Sequence, residues 1–503
     1  MTSAAVPGAD ATPSPRTILR PGDVITDAAW PVAGGVRSVH VIRIGGAGMS
    51  AVARLALEAG LRVSGSDSQD GQFIAPLRAA GARIGIGFDA GLLAEDVDLV
   101  VVSTAVRADN PEVIAARERG IPVIHRAAAL AGLLRGREVI AIAGTHGKTT
   151  TTGMAVTALR GAARDPAWAL GAAVPDLGRN AGFGAEPGAA GDLALVEADE
   201  SDGSFLAFAP RTAVVTNLEP DHLDFHGDAA TLTAAFDALT TRIEPGGTLV
   251  VCADDEGAEA LGRRAAARGT AVLRYGTAED AHWRLRAEQA GPRGTRIEVD
   301  TPRGRIDVEL SVAGHHNVLN ALGALAASAS AAPAAPLAEL GAGLATFTGA
   351  SRRFDVAGTA GGVTVVDDYA HHPREVAATI AAAQGIVRDQ GRGGRVLVVF
   401  QPHLYSRTRA FAAEFAAALS SADRAWVMPV YGAREDPDPA VDARTVTAHA
   451  AATVEPLAAG DDLAAQVGGV ARPGDLLLML GAGDIVETTP DVMAALGVPP
   501  EHG

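Results

Sequence analysis

One segment gathers the residue types that phosphate chemistry needs. Ala141-Ile-Ala-Gly-Thr-His-Gly-Lys-Thr-Thr-Thr-Thr152 runs an apolar strand into a glycine-containing turn and then into a helix. Such a turn points backbone N–H groups at phosphate oxygens, and the start of the helix adds partial positive charge. Lys148 can reach the β- and γ-phosphates of a nucleotide, and the Thr149 hydroxyl can bind Mg²⁺. The strict Walker pattern needs glycine where this chain has Ile142. Lys148 is nevertheless the only lysine in the sequence; every other one of the 42 basic side chains is arginine. A lone lysine in so arginine-rich a chain points to chemistry that a planar guanidinium cannot perform.

Two acidic segments follow apolar runs. Val196-Glu-Ala-Asp-Glu-Ser-Asp202 packs four carboxylates into six residues, which is unfavourable without cations nearby. A carboxylate at a strand end facing a phosphate loop would bind Mg²⁺; read alone, the segment is a solvated acidic loop. Thr216-Asn-Leu-Glu-Pro-Asp-His-Leu-Asp224 adds a histidine and further acids, able to ligate a divalent ion or position a substrate carboxylate. Three strand ends carrying Lys/Thr, acids and His/Asp fit an open α/β sheet, whose ligand sits beyond the carboxyl ends of the strands.

Nearer the N-terminus, Ile44-Gly-Gly-Ala-Gly-Met-Ser-Ala51 contains G-x-G-x-x-A at Gly46, Gly48 and Ala51. Asp67 stands 21 residues after Gly46, the spacing of a dinucleotide-type diphosphate site. By itself the motif suits NAD, FAD or a UDP-sugar. Later segments concentrate polar groups after β-rich runs: Gly314-His-His-Asn-Val-Leu-Asn320, Ser351-Arg-Arg-Phe354, Asp367-Asp-Tyr-Ala-His-His-Pro-Arg374 and Phe400-Gln-Pro-His-Leu-Tyr-Ser-Arg-Thr408. Asn317 is equally well read as a helix cap, and the arginines as solvated.

Positioning these loops requires parallel strands alternating with helices, an α/β architecture. Strands are expected at Ser38–Ile44, Leu61–Ser64, Val97–Ser103, Glu138–Ala143, Leu193–Glu197 and Thr212–Thr216. Further strands are expected at Val363–Val366, Arg395–Phe400, Arg424–Val427 and Asp475–Leu480. Residues 281–313 alternate in short segments and read as an antiparallel β insertion. The resulting division is a disordered tail over 1–16, then units over 17–136, 137–350 and 351–503.

Composition excludes some classes. A net charge of −17 argues against a general nucleic-acid-binding surface. No apolar run of membrane-spanning length occurs. The first residues carry Asp10, Asp23 and Asp27 without the apolar core of a signal peptide. A single cysteine, Cys252, rules out an intrachain disulfide and reads as a core residue. A cytoplasmic protein is therefore expected, with monomer and homodimer both open.

In order and spacing, the segments above resemble the Mur ligases, most closely their alanine-adding branch, over nearly the whole chain after the tail. The motifs that carry the resemblance are Gly45-Gly-Ala-Gly-Met-Ser50 with Gly65-Ser-Asp67, Gly144-Thr-His-Gly-Lys-Thr-Thr150, Glu197-Ala-Asp-Glu-Ser-Asp202, Asn217 to Asp224, His316-Asn317, Arg352-Arg-Phe354, Asp367 to Pro373 and Phe400-Gln-Pro-His403. The resemblance implies three domains: a Rossmann-like UDP-sugar domain, a central P-loop-type ATPase domain with the β insertion, and a Rossmann-like C-terminal domain for the amino acid.

The activity it implies is Mg²⁺-dependent joining of L-alanine to UDP-N-acetylmuramic acid, with ATP consumed through an acyl phosphate. Carried over, Gly45, Gly46, Gly48, Met49, Ser50 and Asp67 would bind the UDP-sugar. Gly144, Thr145, His146, Gly147, Lys148, Thr149 and Thr150 would form the ATP loop. Thr149, Glu197 and His222 would ligate Mg²⁺. Asn317 and Arg353 would contact adenine, and Asp367 the ribose. His371, His372 and Arg407 would line the site for alanine and the muramyl carboxylate, with Lys148 and His222 alongside them in catalysis. Relatives that use a carbamylated lysine for a second Mg²⁺ are unlike this chain, which has no second lysine. Leu404 stands where the family often has arginine, leaving Arg407 as that motif's candidate for the alanine carboxylate. A nicotinamide dehydrogenase would fit only the first hundred or so residues and leaves the Lys148 turn unexplained.

Overall fold

The computed structural model describes residues 35–186, 192–291, 294–391, 393–433, 435–458, 460 and 462–497. The expected tail over 1–16 lies outside them. Among the described residues the strands form three sheets, of five, ten and six strands.

The first sheet contains β1 (Ser38–Ile42), β2 (Arg62–Asp67), β3 (Arg83–Ile86), β4 (Leu99–Val102) and β5 (Val123–His125), all parallel in the order 3-2-1-4-5. Strands β1 and β4 are buried on both faces because helices cover both sides; β4 is apolar throughout, while β1 pairs the apolar face of Val39 and Val41 with a face that carries His40, whose Nε2 lies 2.8 Å from Glu112 Oε2. The strand order reverses between β1 and β4, and the glycine turn Gly45–Gly48 leaves β1 at that point. It opens the helix Ala47–Glu58.

The second sheet comprises β6 (Glu138–Ala143), β7 (Ala167–Val174), β8 (Arg179–Gly182), β9 (Leu193–Glu197), β10 (Thr212–Val215), β11 (Thr248–Cys252), β12 (Ala271–Gly276), β13 (Trp283–Gly291), β14 (Gly294–Thr301) and β15 (Gly304–Leu310). Its order is 15-14-13-12-11-10-6-9-7-8. Strand β6 is flanked in parallel by β10 and β9. The turn carrying Lys148 thus leaves the sheet between the acidic loop after β9 and the Asn217–Asp224 loop after β10. The predicted antiparallel insertion is β13–β15, and it continues the central sheet, because β13 pairs in parallel with β12.

The third sheet has β16 (Asp355–Ala360), β17 (Val363–Asp368), β18 (Val396–Phe400), β19 (Arg424–Val427), β20 (Val454–Pro456) and β21 (Leu476–Leu480), in the order 16-17-21-18-19-20. All pairs are parallel except β16 with β17. One face packs on the helix Pro373–Gln390 through Val366, Val376 and Ile380. The other packs on the helix Thr489–Gly497 through Val363, Val365 and Val492.

The three units touch. The second and third meet through His146 Nδ1 and Glu375 Oε1 at 3.1 Å. Between the first and second, Glu58 receives Arg179 Nη1 at 2.7 Å, and Asn180 Nδ2 donates to Ala47 O at 2.8 Å. Among the described residues no helix is long and apolar enough to cross a membrane. Cys252 is buried, and burial pushes its thiol up to about 12.

Candidate active site

The turn after β6 is built so that only glycine fits at two points. A Cβ on Gly144, at φ +129°, would lie 2.1 Å from Thr216 Oγ1; one on Gly147, at φ +81°, would lie 2.5 Å from Asn320 Oδ1. The turn is therefore clamped between the β10 loop and the helix His315–Ala331. Thr145 N donates to Asn217 O at 3.2 Å, and His146 N to Asn217 Oδ1 at 2.7 Å. Thr150 is buried in the first turn of the helix Lys148–Gly161.

Lys148 is folded back on its own turn. Its Nζ donates to Gly144 O at 2.7 Å and Thr145 O at 3.2 Å, and lies 2.8 Å from Glu200 Oε2. Burial disfavours the ammonium, but Glu200, Asp199 and Glu197 outweigh it and raise the Lys148 pKa. Burial, with Asp199 beside it, pushes Glu200 up to about 7 despite the lysine. The cation thus has a counter-ion that a triphosphate can replace.

Thr149 Oγ1 donates to Glu197 Oε2 at 2.9 Å, so the expected hydroxyl–carboxylate pair forms. His222 stands elsewhere. Its Nε2 faces Glu200 at 3.7 Å and Asp221 at 3.6 Å, and its backbone takes φ +53°, uncommon for a non-glycine residue. Burial, helped by Arg407 and Lys148, lowers its pKa to about 4. It is therefore neutral near pH 7, with a lone pair to offer. Among the described residues no group of three His, Cys, Asp or Glu side chains stands ready to hold a metal ion. The hydroxyl–carboxylate pair still suits Mg²⁺, which keeps several waters and takes phosphate oxygens in nucleotide sites.

Across the cleft, Arg407 is buried and donates to Asp221 Oδ1 at 2.8 Å, with His222 Nδ1 3.4 Å away. Burial would raise Asp221, but His222 and Arg407 hold it well below the usual carboxylate range. Leu404 is buried at φ +70° and offers no charge. A run of rings crosses the third unit: Tyr369 to His371 at 5.2 Å, His371 to His403 at 5.8 Å, His403 to Tyr431 at 5.8 Å. The His372 ring lies 5.2 Å from that of His146, tilted by 40°, and both of its ring nitrogens are buried without a hydrogen-bond partner. Burial, with His146 and Arg407 nearby, lowers it to about 4.

The residues expected at the nucleotide each have local contacts. Arg352 and Arg353 each lie 5.0 Å from the Tyr369 ring. Asn317 Nδ2 donates to Ala313 O at 2.8 Å, the local contact of a helix start. Asp367 does not face the cleft. Strand side chains alternate, so Asp367 shares the face of Val363 and Val365 and accepts from Thr489 Oγ1 at 2.7 Å. Its neighbour Asp368 faces the cleft side, accepts from Phe354 N at 2.6 Å, and is pushed up to about 6 by burial against the pull of Arg353.

At the first unit, Gly45 N donates to Asp67 Oδ2 at 2.8 Å, so Asp67 pins the turn. Gly46 N-caps the helix, and Met49 is core. Ser50 Oγ donates to Ala47 O and accepts from Asn180 Nδ2 at 3.0 Å. Sequence reasoning missed Arg126: a Cβ on Gly48 would meet its guanidinium at 3.2 Å, and its Nη2 donates to Asp199 Oδ2 at 2.7 Å. It gave Asp221 and Asp368 only as members of their polar segments, without a role of their own, and it missed Glu375. Glu375 carried a local signal, the N-cap-to-N3 spacing from His372.

Comparison with known proteins agrees with this layout. The chain matches the Mur ligase family catalytic domain over residues 38–138, the Mur ligase middle domain over 142–328, and the Mur ligase glutamate ligase domain over 352–483. A UDP-N-acetylmuramate–L-alanine ligase of Paenarthrobacter aurescens is 47% identical over 460 residues, covering 91% of this chain and 97% of that protein. One of Saccharopolyspora erythraea is 46% identical over 494 residues, covering 95% and 97%. The crystal structure of the UDP-N-acetylmuramate-alanine ligase of Thermotoga maritima, 28% identical, superposes with a TM-score of 0.74 over 91% of this chain and 98% of that one. The chain belongs to the Mur ligase family.

Proposed function

We propose that this protein joins L-alanine to the lactyl carboxylate of UDP-N-acetylmuramic acid, consuming ATP, in peptidoglycan synthesis in the cytoplasm. The observation that carries the reading is the adjacency of β9, β6 and β10: one cleft edge gathers Lys148, the Thr149–Glu197 pair and the Asp221–His222 pair. Relatives named for this activity, nearly half identical over most of the chain, support the alanine assignment.

The lactyl carboxylate attacks the γ-phosphate, giving ADP and an acyl phosphate. The amine of alanine then attacks the acyl carbon, and phosphate leaves. The first step brings two anions together. Lys148, exchanging Glu200 for phosphate oxygens, offsets that repulsion. Mg²⁺ would be held by Thr149 and Glu197 and would neutralise further charge on the triphosphate, while His222, expected as a third ligand, faces Glu200 and Asp221. Arg407 is the candidate for the alanine carboxylate, with His371 and His372 lining that site. The ribose contact first expected of Asp367 passes in this proposal to Asp368, the acid on the cleft side. UDP-sugar binding falls to the Gly45–Gly48 turn with Asp67, and unit boundaries fall near 136/137 and 350/351.

The test is phosphate release with UDP-N-acetylmuramic acid, ATP and each amino acid in turn. Release with alanine that requires all three reactants is expected. Release with a different amino acid or only with a preformed peptide, or none with alanine, overturns the assignment.

A further inference from the structure

We infer that Glu375 is a positioning residue that couples the ATP turn to the amino-acid side of the cleft, a reading that rests on the ligase function above. Glu375 is the third residue of the helix Pro373–Gln390, whose N-cap is His372. A glutamate there ordinarily reaches back to the N-cap N–H and goes no further. This one does reach back: its Oε2 accepts from His371 N at 3.0 Å and His372 N at 3.3 Å. Its other oxygen leaves the unit. Oε1 lies 3.1 Å from Nδ1 of His146, in the turn that carries Lys148, and 3.6 Å from Nη1 of Arg353. His371 Nδ1 is 3.1 Å from Oε2.

The carboxylate is only 11% exposed. A buried charge is costly unless it is paired and fully hydrogen-bonded, and burial alone would raise its pKa. His371 and His146 instead hold it well below the usual range. A helix cap needs no such enclosure. The arrangement makes one anion the shared partner of the ATP turn, the arginine proposed for adenine and the histidine proposed for alanine. Shifting any of them disturbs the others. His146 is itself fixed by its backbone bond to Asn217, so the contact reports the position of the nucleotide turn to the third unit.

Glu375→Gln separates the two roles, because glutamine can still cap at N3 but carries no charge. With the fold retained by circular dichroism and thermal melting, the expected result is a fall in kcat/KM for alanine of about thirtyfold and a rise in KM for ATP. His146→Ala cuts the same contact from the other side and leaves the cap intact, so it serves if Glu375→Gln does not fold. In the double variant the losses are expected not to multiply: Glu375→Gln in the His146→Ala background should cost no more than about threefold. Multiplying losses, or single variants within about twofold of wild type, overturn the coupling. Phosphate release by the unaltered enzyme tests the ligase reading separately, so the two failures are distinguishable.

Discussion

Two glycine turns in this molecule occupy the same place, between a strand and a helix, for different ends. Each leaves a central parallel strand, β1 or β6, and each opens a helix. The Gly45 turn is pinned by Asp67, and the cation beside it, Arg126, is tied to Asp199 of the next unit. The Gly144 turn carries its own cation, Lys148, whose counter-ion Glu200 is replaceable, and it is ringed by Glu197, Asp221 and His222. A fixed amide cradle with a tethered guanidinium suits a diphosphate that is held but does not react. A turn with a releasable ammonium and a hydroxyl–carboxylate pair suits a triphosphate whose terminal group moves. The difference lies in the side chains, in what the neighbouring strands bring and in the backbone itself: Gly144 and Gly147 take φ +129° and +81°, whereas Gly46 at the first turn is extended at φ −67°.

The comparison breaks first, and most sharply, at Lys148. Lys148→Ala is expected to lower kcat at least about a hundredfold, with circular dichroism and UDP-sugar binding unchanged. Retained ligase activity would place the reacting phosphate elsewhere. The first turn should respond differently. Asp67→Ala frees Gly45 N–H and loosens the turn; losing a hydrogen bond to a charged group predicts a rise of roughly tenfold in KM for the UDP-sugar, with kcat little changed. A matching fall in kcat would mean that the first turn helps the reacting groups and does more than hold a substrate.

How far the sequence carried this picture depends on whether a contact is local. The motif strands were legible because β-branched and apolar runs end at glycine or acidic loops: Glu138–Ala143 and Leu193–Glu197 lie where their hydrophobicity put them. The Thr149–Glu197 contact needed the neighbour relation of β6 and β9, which crossover connections set and no spacing encodes. Asp367 against Asp368 was a question of strand parity, invisible until the helices Pro373–Gln390 and Thr489–Gly497 took opposite faces. Arg126 and Asp221 find partners in another unit, and nothing in their own neighbourhood announces it. Glu375 had its capping spacing, yet that spacing describes only the half of its contacts that stays within the helix.

The last contrast is titration, and its effect is the smallest. The second turn is packed against His372, which burial holds at about 4. Its unfolded value is near 6.5, so the folded pKa is depressed. Between those values the unfolded chain binds more protons, so the contribution is complete above about pH 6.5 and declines as pH falls toward about 4. From pH 7 to pH 6 that decline amounts to about 0.7 kcal/mol from His372 alone. Urea midpoints at the two pH values measure it, and His372→Gln should flatten the difference by about that amount. A variant with the unaltered pH dependence would mean that the imidazole reaches water on its own, and that the face between the ATP turn and the third unit opens without unfolding.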